Sequence, residues 1–194
     1  MKTVQPAPYN VYNLEELSDK AKEKARDWYR GGMDQDIYWS ESVTDDVKTI
    51  LGYLGFEIKY IHWSGFWSQG DGACFAGKWR AADVNLKGLL EYAPGYEDVD
   101  RVVARLSEIA INAPSISFSV EQSGYYQHEN CTAFDFDEEV SEEYCEELAE
   151  LSKDLMRWIY SRLEQAWDFE NSNETVDENI INNEYEFLES GERA

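Results

Sequence analysis

The chain has 194 residues, with 40 acids against 17 lysines and arginines and a formal net charge of -23. Such a field repels nucleic acid and anionic membrane, both densely negative, and favours basic surfaces such as the grooves of proteins that hold DNA or RNA. The same charge also serves plain solubility. An apolar fraction of 43%, with 7 Trp, 13 Tyr and 8 Phe, supports a sizeable core. No apolar run approaches the ~18 residues of a membrane span, and Met1–Pro6 lacks a signal-type apolar core, so a cytoplasmic location is expected. Cys74, Cys131 and Cys145 are too scattered for a disulfide framework or zinc knuckle and read as reduced, packed thiols.

In chain order, Asn13 with Glu16 reads as a capped turn, and Ser18 caps a helix carrying Ala21, Ala25, Trp28 and Tyr29, which Gly31-Gly32 should stop. This is the one stretch rich in bases: Lys20, Lys22, Lys24, Arg26 and Arg30. Thr44 is the expected cap of a second helix, striped by Val47, Ile50, Leu51 and Leu54 and ending at Gly55. Alternation from Phe56 to Tyr60 predicts a strand that runs into a turn at Gln69-Gly70-Asp71-Gly72, with Ala73–Trp79 returning beside it. Helices are expected at Leu86–Tyr92 and Glu97–Ile111, then a strand through Ile116, Phe118 and Val120 with Ala133–Phe136 returning. Ser141 opens the longest helix, to about Phe169, along a stripe of Tyr144, Leu148, Leu151, Leu155, Ile159, Leu163 and Trp167. Asn171–Asn183 reads as a polar linker, and Tyr185–Leu188 as a docked edge strand, since its apolar groups are costly to leave wet. The fold class is α+β: an antiparallel sheet of two related hairpins covered by helices, ending in a long acidic helix. Residues 1–170 form a single domain and 171–194 an acidic appendage.

The two hairpin tips share a pattern. Ser64-Gly65-Phe66-Trp67-Ser68-Gln69-Gly70-Asp71-Gly72-Ala73-Cys74-Phe75 and Ser123-Gly124-Tyr125-Tyr126-Gln127-His128-Glu129-Asn130-Cys131-Thr132-Ala133-Phe134 each hold Ser-Gly, two aromatics, a Gln, an acid, a Cys and a Phe. Two readings stand. Similar turn chemistry alone explains the pattern, or Trp67, Gln69, Asp71, Tyr125, Tyr126, Gln127, His128 and Glu129 line a site that stacks a flat, nucleotide-like ligand. Asp71, His128 and Glu129 would serve a metal or acid–base site if the tips lay side by side. No phosphate loop, nucleophile elbow or HExxH spacing occurs, so no catalytic residue, metal or cofactor is expected. The third feature is an acidic block without a single base: Asp135, Asp137, Glu138, Glu139, Glu142, Glu143, Glu146, Glu147 and Glu150. Nine carboxylates exceed what a helix N-terminus calls for, so most should decorate an exposed face. A further acidic run from Asp168 to Glu192 ends at its one base, Arg193.

Leu14–Ala25, the Ser64–Phe75 tip and Tyr125–Asn130 together make residues 12–170 resemble a group of small bacteriophage and prophage proteins labelled antitoxin of a toxin–antitoxin stability system. The Ser-Gln-Gly-Asp-Gly tip is the most specific part of the likeness. The resemblance implies an accessory protein acting on a host or competing system and carries over no catalytic residue. Joined to the charge, it sets the expectation of a non-enzymatic inhibitor. Its acidic face would stand in for nucleic acid on a toxin, nuclease or defence protein. A nucleotide-like ligand at the tips and a metal-dependent enzyme are the alternatives; the oligomeric state is open.

Overall fold

A computed structural model describes residues 10–33, 38–94 and 99–194. The chain divides into two compact units, Ser40–Glu164 and a second built from the residues up to Trp39 with Gln165–Ala194.

In Ser40–Glu164, four strands form one antiparallel sheet in the order β1 (Leu54–Ser64), β2 (Gly72–Val84), β3 (Ser117–Gln122), β4 (Thr132–Phe136). Alternation places Phe56, Trp79, Phe118 and Phe136 opposite one another, so one aromatic row crosses all four strands. Their ring centroids lie 6.3, 5.5 and 4.9 Å apart in that order. The buried Trp79 indole donates to the Leu54 carbonyl at 2.8 Å, so the largest core ring leaves no polar atom unpaired. The helical elements here are α2 (Tyr38–Tyr53), α3 (Leu86–Tyr92), α4 (Asp100–Asn112) and the start of α5 (Glu142–Glu170). The amphipathic α4 packs on β1 and β2 through a face that buries Val102, Leu106 and Ile109. The α+β class is as expected, and the α5 stripe buries Leu148, Leu151, Leu155, Ile159 and Leu163.

Three local expectations change. Helix α2 begins at Tyr38, not Thr44; the Thr44 hydroxyl bonds back to the Glu41 carbonyl at 3.1 Å, the mid-helix alternative to capping. Helix α1 (Asp19–Met33) runs through Gly31-Gly32, because a glycine costs a helix about 1 kcal/mol without forbidding it. Asn171–Asn183 is not a linker. It holds helix α6 (Asn173–Asn182), capped by Ser172, whose hydroxyl accepts from the Thr175 amide at 3.2 Å. The expected start of α4 at Glu97 lies outside the described residues.

In the other unit, a single 3-10 turn at Leu14–Glu16 keeps the expected cap, with the Asn13 amide donating to Glu16 at 2.8 Å. Val176 and Ile180, one helical turn apart on α6, pack with Leu14, Leu17, Ala21, Ala25 and Phe187. Arg26 of α1 clamps Asp177 of α6 with two 2.7 Å bonds. Tyr185–Leu188 docks, but not as an edge of the sheet. Phe187 forms an isolated bridge with Tyr12, its amide and carbonyl bonding back at 2.9 and 2.8 Å. Phe187 is the largest side chain of this core, and Phe187→Ala should cost about 3–5 kcal/mol in chemical denaturation. A loss below about 1 kcal/mol would mean that this cluster does not hold the unit.

Candidate functional site

The two tips do meet. Gly70, at φ +98, lies against the Tyr126 ring, so closely that a Cβ there would stand 3.3 Å from it. At Gly72 a Cβ would stand 3.0 Å from the His128 ring and 3.1 Å from the Gln127 carbonyl. Glycine at both positions is what lets the β1–β2 loop press flat on the β3–β4 loop. Asp71 faces its own loop: its carboxylate accepts from the amides of Trp67 and Ser68 at 3.0 and 2.6 Å. Trp63 and Phe66 turn inward, stacking at 5.6 Å, with Phe66 5.5 Å from Tyr160 on α5. The Tyr160 hydroxyl donates to the Gly65 carbonyl at 3.3 Å, pinning the first loop to the helix. Trp67, Tyr125 and Tyr126 face outward with 77%, 90% and 56% exposure, beside the exposed Gln69 and half-buried Gln127.

Beneath them Glu129 is only 8% exposed. Its carboxylate lies 2.8 Å from His128 Nδ1 and 3.4 Å from Arg157, which also pairs with Asp154 at 2.6 Å. The Asn130 amide approaches the same His128 nitrogen at 3.2 Å. One ring nitrogen thus lies within reach of both a backbone donor and a carboxylate, and whether it carries a proton decides which of the two it bonds. Asp71 is engaged elsewhere, and among the described residues no three His, Cys, Asp or Glu side chains group as metal ligands. Arg157 and Tyr160 complete this arrangement unannounced by any local motif; only their place on α5, about four and five turns from its start, brings them to the loops.

The acidic block sorts into two kinds. Glu147 is bound by Arg105 of α4 through 2.5 and 2.9 Å bonds, and the guanidinium holds its carboxyl below the usual range. Glu147 is therefore a tie between α4 and α5, and the expectation that it belongs to a free face is corrected. Glu150 pairs with Lys153 at 2.6 Å, and Asp137 accepts from Ser117 at 2.7 Å. Asp135, Glu138, Glu139, Glu142, Glu143 and Glu146 are exposed, and among the described residues no cation pairs with them. Glu142 and Glu143 occupy the first turn of α5, where they suit the helix dipole. The segment Asp137–Tyr144 also borders a cleft of about 580 Å³, closed on its other side by Ala113, Ser115 and Ile116.

The thiols lie apart from this chemistry. Cys74 is fully buried on β2, whereas Cys131 sits in a 3-10 turn at Glu129–Cys131. Burial pushes the Cys74 thiol up to about 11, with a smaller contribution from Cys131. The folded chain therefore keeps a proton that the unfolded chain sheds from 9.0 upward, so the thiol's contribution is intact below that pH and lost as pH rises towards 11. Comparing denaturation of wild type and Cys74→Ala between pH 8 and 11 should show on the order of 2 kcal/mol of this decline only with the cysteine present. Parallel curves for the two proteins would refute it.

No curated protein and no solved structure matches the chain. Residues 39–173 match the model of a family described as a domain of unknown function (DUF8835), a span that takes in all four strands, both tips and the whole acidic block. With that much of its length matched, the chain belongs to the DUF8835 family.

Proposed function

We propose that the protein is a non-enzymatic, phage-related inhibitor, an antitoxin or anti-defence factor of the bacterial cytoplasm. It docks through acidic groups onto the basic, nucleic-acid-binding surface of a toxin or defence protein. The observation that carries the reading is the set of exposed carboxylates from Asp135 to Glu146 that no cation pairs with among the described residues. In a chain where Arg105, Arg157 and Lys153 each pair with nearby acids, leaving this segment bare keeps its charge available to a partner. The cleft beside it supports the same reading. Ile116, Val140 and Tyr144 offer apolar surface to the stem of a lysine or arginine, and Asp137, Glu138 and Glu139 stand at its border to meet the charge. Carboxylates of this kind can stand where phosphates otherwise bind, and the contact should weaken steeply with salt.

A second reading draws on the packed tips, where Trp67, Tyr125 and Tyr126 are exposed. A flat ligand such as a nucleobase would stack there, held by its base and not by its phosphates, since the nearby Arg157 is committed to Asp154 and Glu129. Calorimetry with nucleotides separates the two readings.

Wild type and the variant Glu138→Lys/Glu139→Lys/Glu146→Lys should be compared as bait in bacterial lysate at low salt, with elution by raised salt. A basic protein retained by wild type, released by salt and absent from the variant is expected. The same proteins retained by both baits would overturn the inhibitor reading. Glu147 is left intact in this design, because it already pairs with Arg105 of α4.

A further inference from the structure

Arg193, the one base of the run from Asp168 onward, lies over three aromatic rings. Its guanidinium carbon is 4.8 Å from the Tyr185 ring, 5.6 Å from Trp28 and 6.0 Å from Phe187. The rings stand nearly at right angles: Trp28 meets Tyr185 at 5.2 Å and 88°, and Phe187 at 5.7 Å and 79°. Three π faces converging on one cation is the geometry by which aromatic cages select large, weakly hydrated cations. We infer that Trp28, Tyr185 and Phe187 form a guanidinium-binding cage, closed in this state by Arg193 and open to an arginine side chain of a basic partner when Arg193 withdraws.

Several features allow that exchange. Arg193 is exposed and Trp28 is partly open, so the cation can leave without disturbing buried residues. The floor of the cage does not depend on it, since Phe187 is fixed by its two bonds with Tyr12 and by the α1–α6 core. Arg193 itself is held by a bond from its guanidinium to the Glu186 carbonyl and by the bridge to Phe187. Glu184, Glu186 and Glu189 are exposed along the same segment and favour an incoming cation over an anion. The cage lies outside residues 39–173 and uses none of the acidic block, so it stands whether or not the inhibitor reading does.

The test is an NMR titration with N-acetyl-arginine methylamide, reading ring-current shifts of the probe's side-chain methylenes and the Trp28 indole resonance. Wild type and R193K, whose cages are filled, should show no saturable shift. R193Q and R193M, which empty the cage, should show weak saturable binding that disappears when Trp28→Ala is added. R193M also removes the cation, keeping only an unbranched apolar stem beside the segment, and covers the case in which R193Q loosens it. Absence of a saturable shift in both opened variants overturns the cage, and equal binding by wild type overturns its closure by Arg193.

Discussion

Forty acids and 17 bases in one chain make cations the scarce component of this fold. Like charges repel across the whole surface, and each arginine placed between two elements relieves that repulsion at one point. Arg26 joins α1 to α6, Arg105 joins α4 to α5, Arg157 joins α5 to the second loop, and Lys24 reaches Glu192 near the end of the chain. Individually such partly exposed pairs contribute about 0–1 kcal/mol. Their placement matters more than their sum, because these four bases sit between elements while the segment from Asp135 to Glu146 is left uncompensated. Asp135 and Asp137 also blunt β4, an open edge of the sheet, against pairing with another strand.

The aromatic row and the two loops show how the same residue types divide between structure and surface. Phe56, Trp79 and Phe118 alternate with polar neighbours and are drawn into the core by strand geometry, with half-buried Phe136 beside them at the sheet edge. Past the strand ends that alternation no longer applies. Trp67, Tyr125 and Tyr126 then face water, while Phe66 folds back onto Tyr160. Gly70 and Gly72 decide the outcome locally, because their missing side chains are the space that Tyr126 and His128 occupy.

Much of this was legible in the sequence. Period-two alternation around Phe118 and Phe134 and the long apolar stripe of α5 led directly to the sheet and its longest helix. Boundaries were harder where a residue type serves two purposes. Thr44 is as content bonding back within a helix as capping one, and Gly31-Gly32 are tolerated inside α1 with none of the described residues packed against them. Helix α6 was hidden because most of its residues are polar; Val176 and Ile180 alone carry its buried face. At the candidate site, composition revealed the acidic block and the similar tips. It could not divide the carboxylates into tied and bare, because the partner of Glu147 is Arg105, 42 residues away, and only the packing of α4 on α5 brings them together. The aromatic set around Arg193 was invisible for the same reason, since Trp28 and Tyr185 meet only in the folded unit.

If the bare carboxylates are kept for a partner and not for the fold, the fold should be indifferent to losing them or gain from it. The most direct measurement is the thermal midpoint of a variant carrying Asp135→Asn, Glu138→Gln, Glu139→Gln and Glu146→Gln, scanned beside wild type at low and high salt. Glu142 and Glu143 stay in place because they serve the α5 dipole. The expected midpoint lies at or above that of wild type at low salt and rises less on adding salt, since less like-charge repulsion remains to be screened. A clear drop in the midpoint would show that these carboxylates hold the structure together, and would contradict the claim that their charge is reserved for binding.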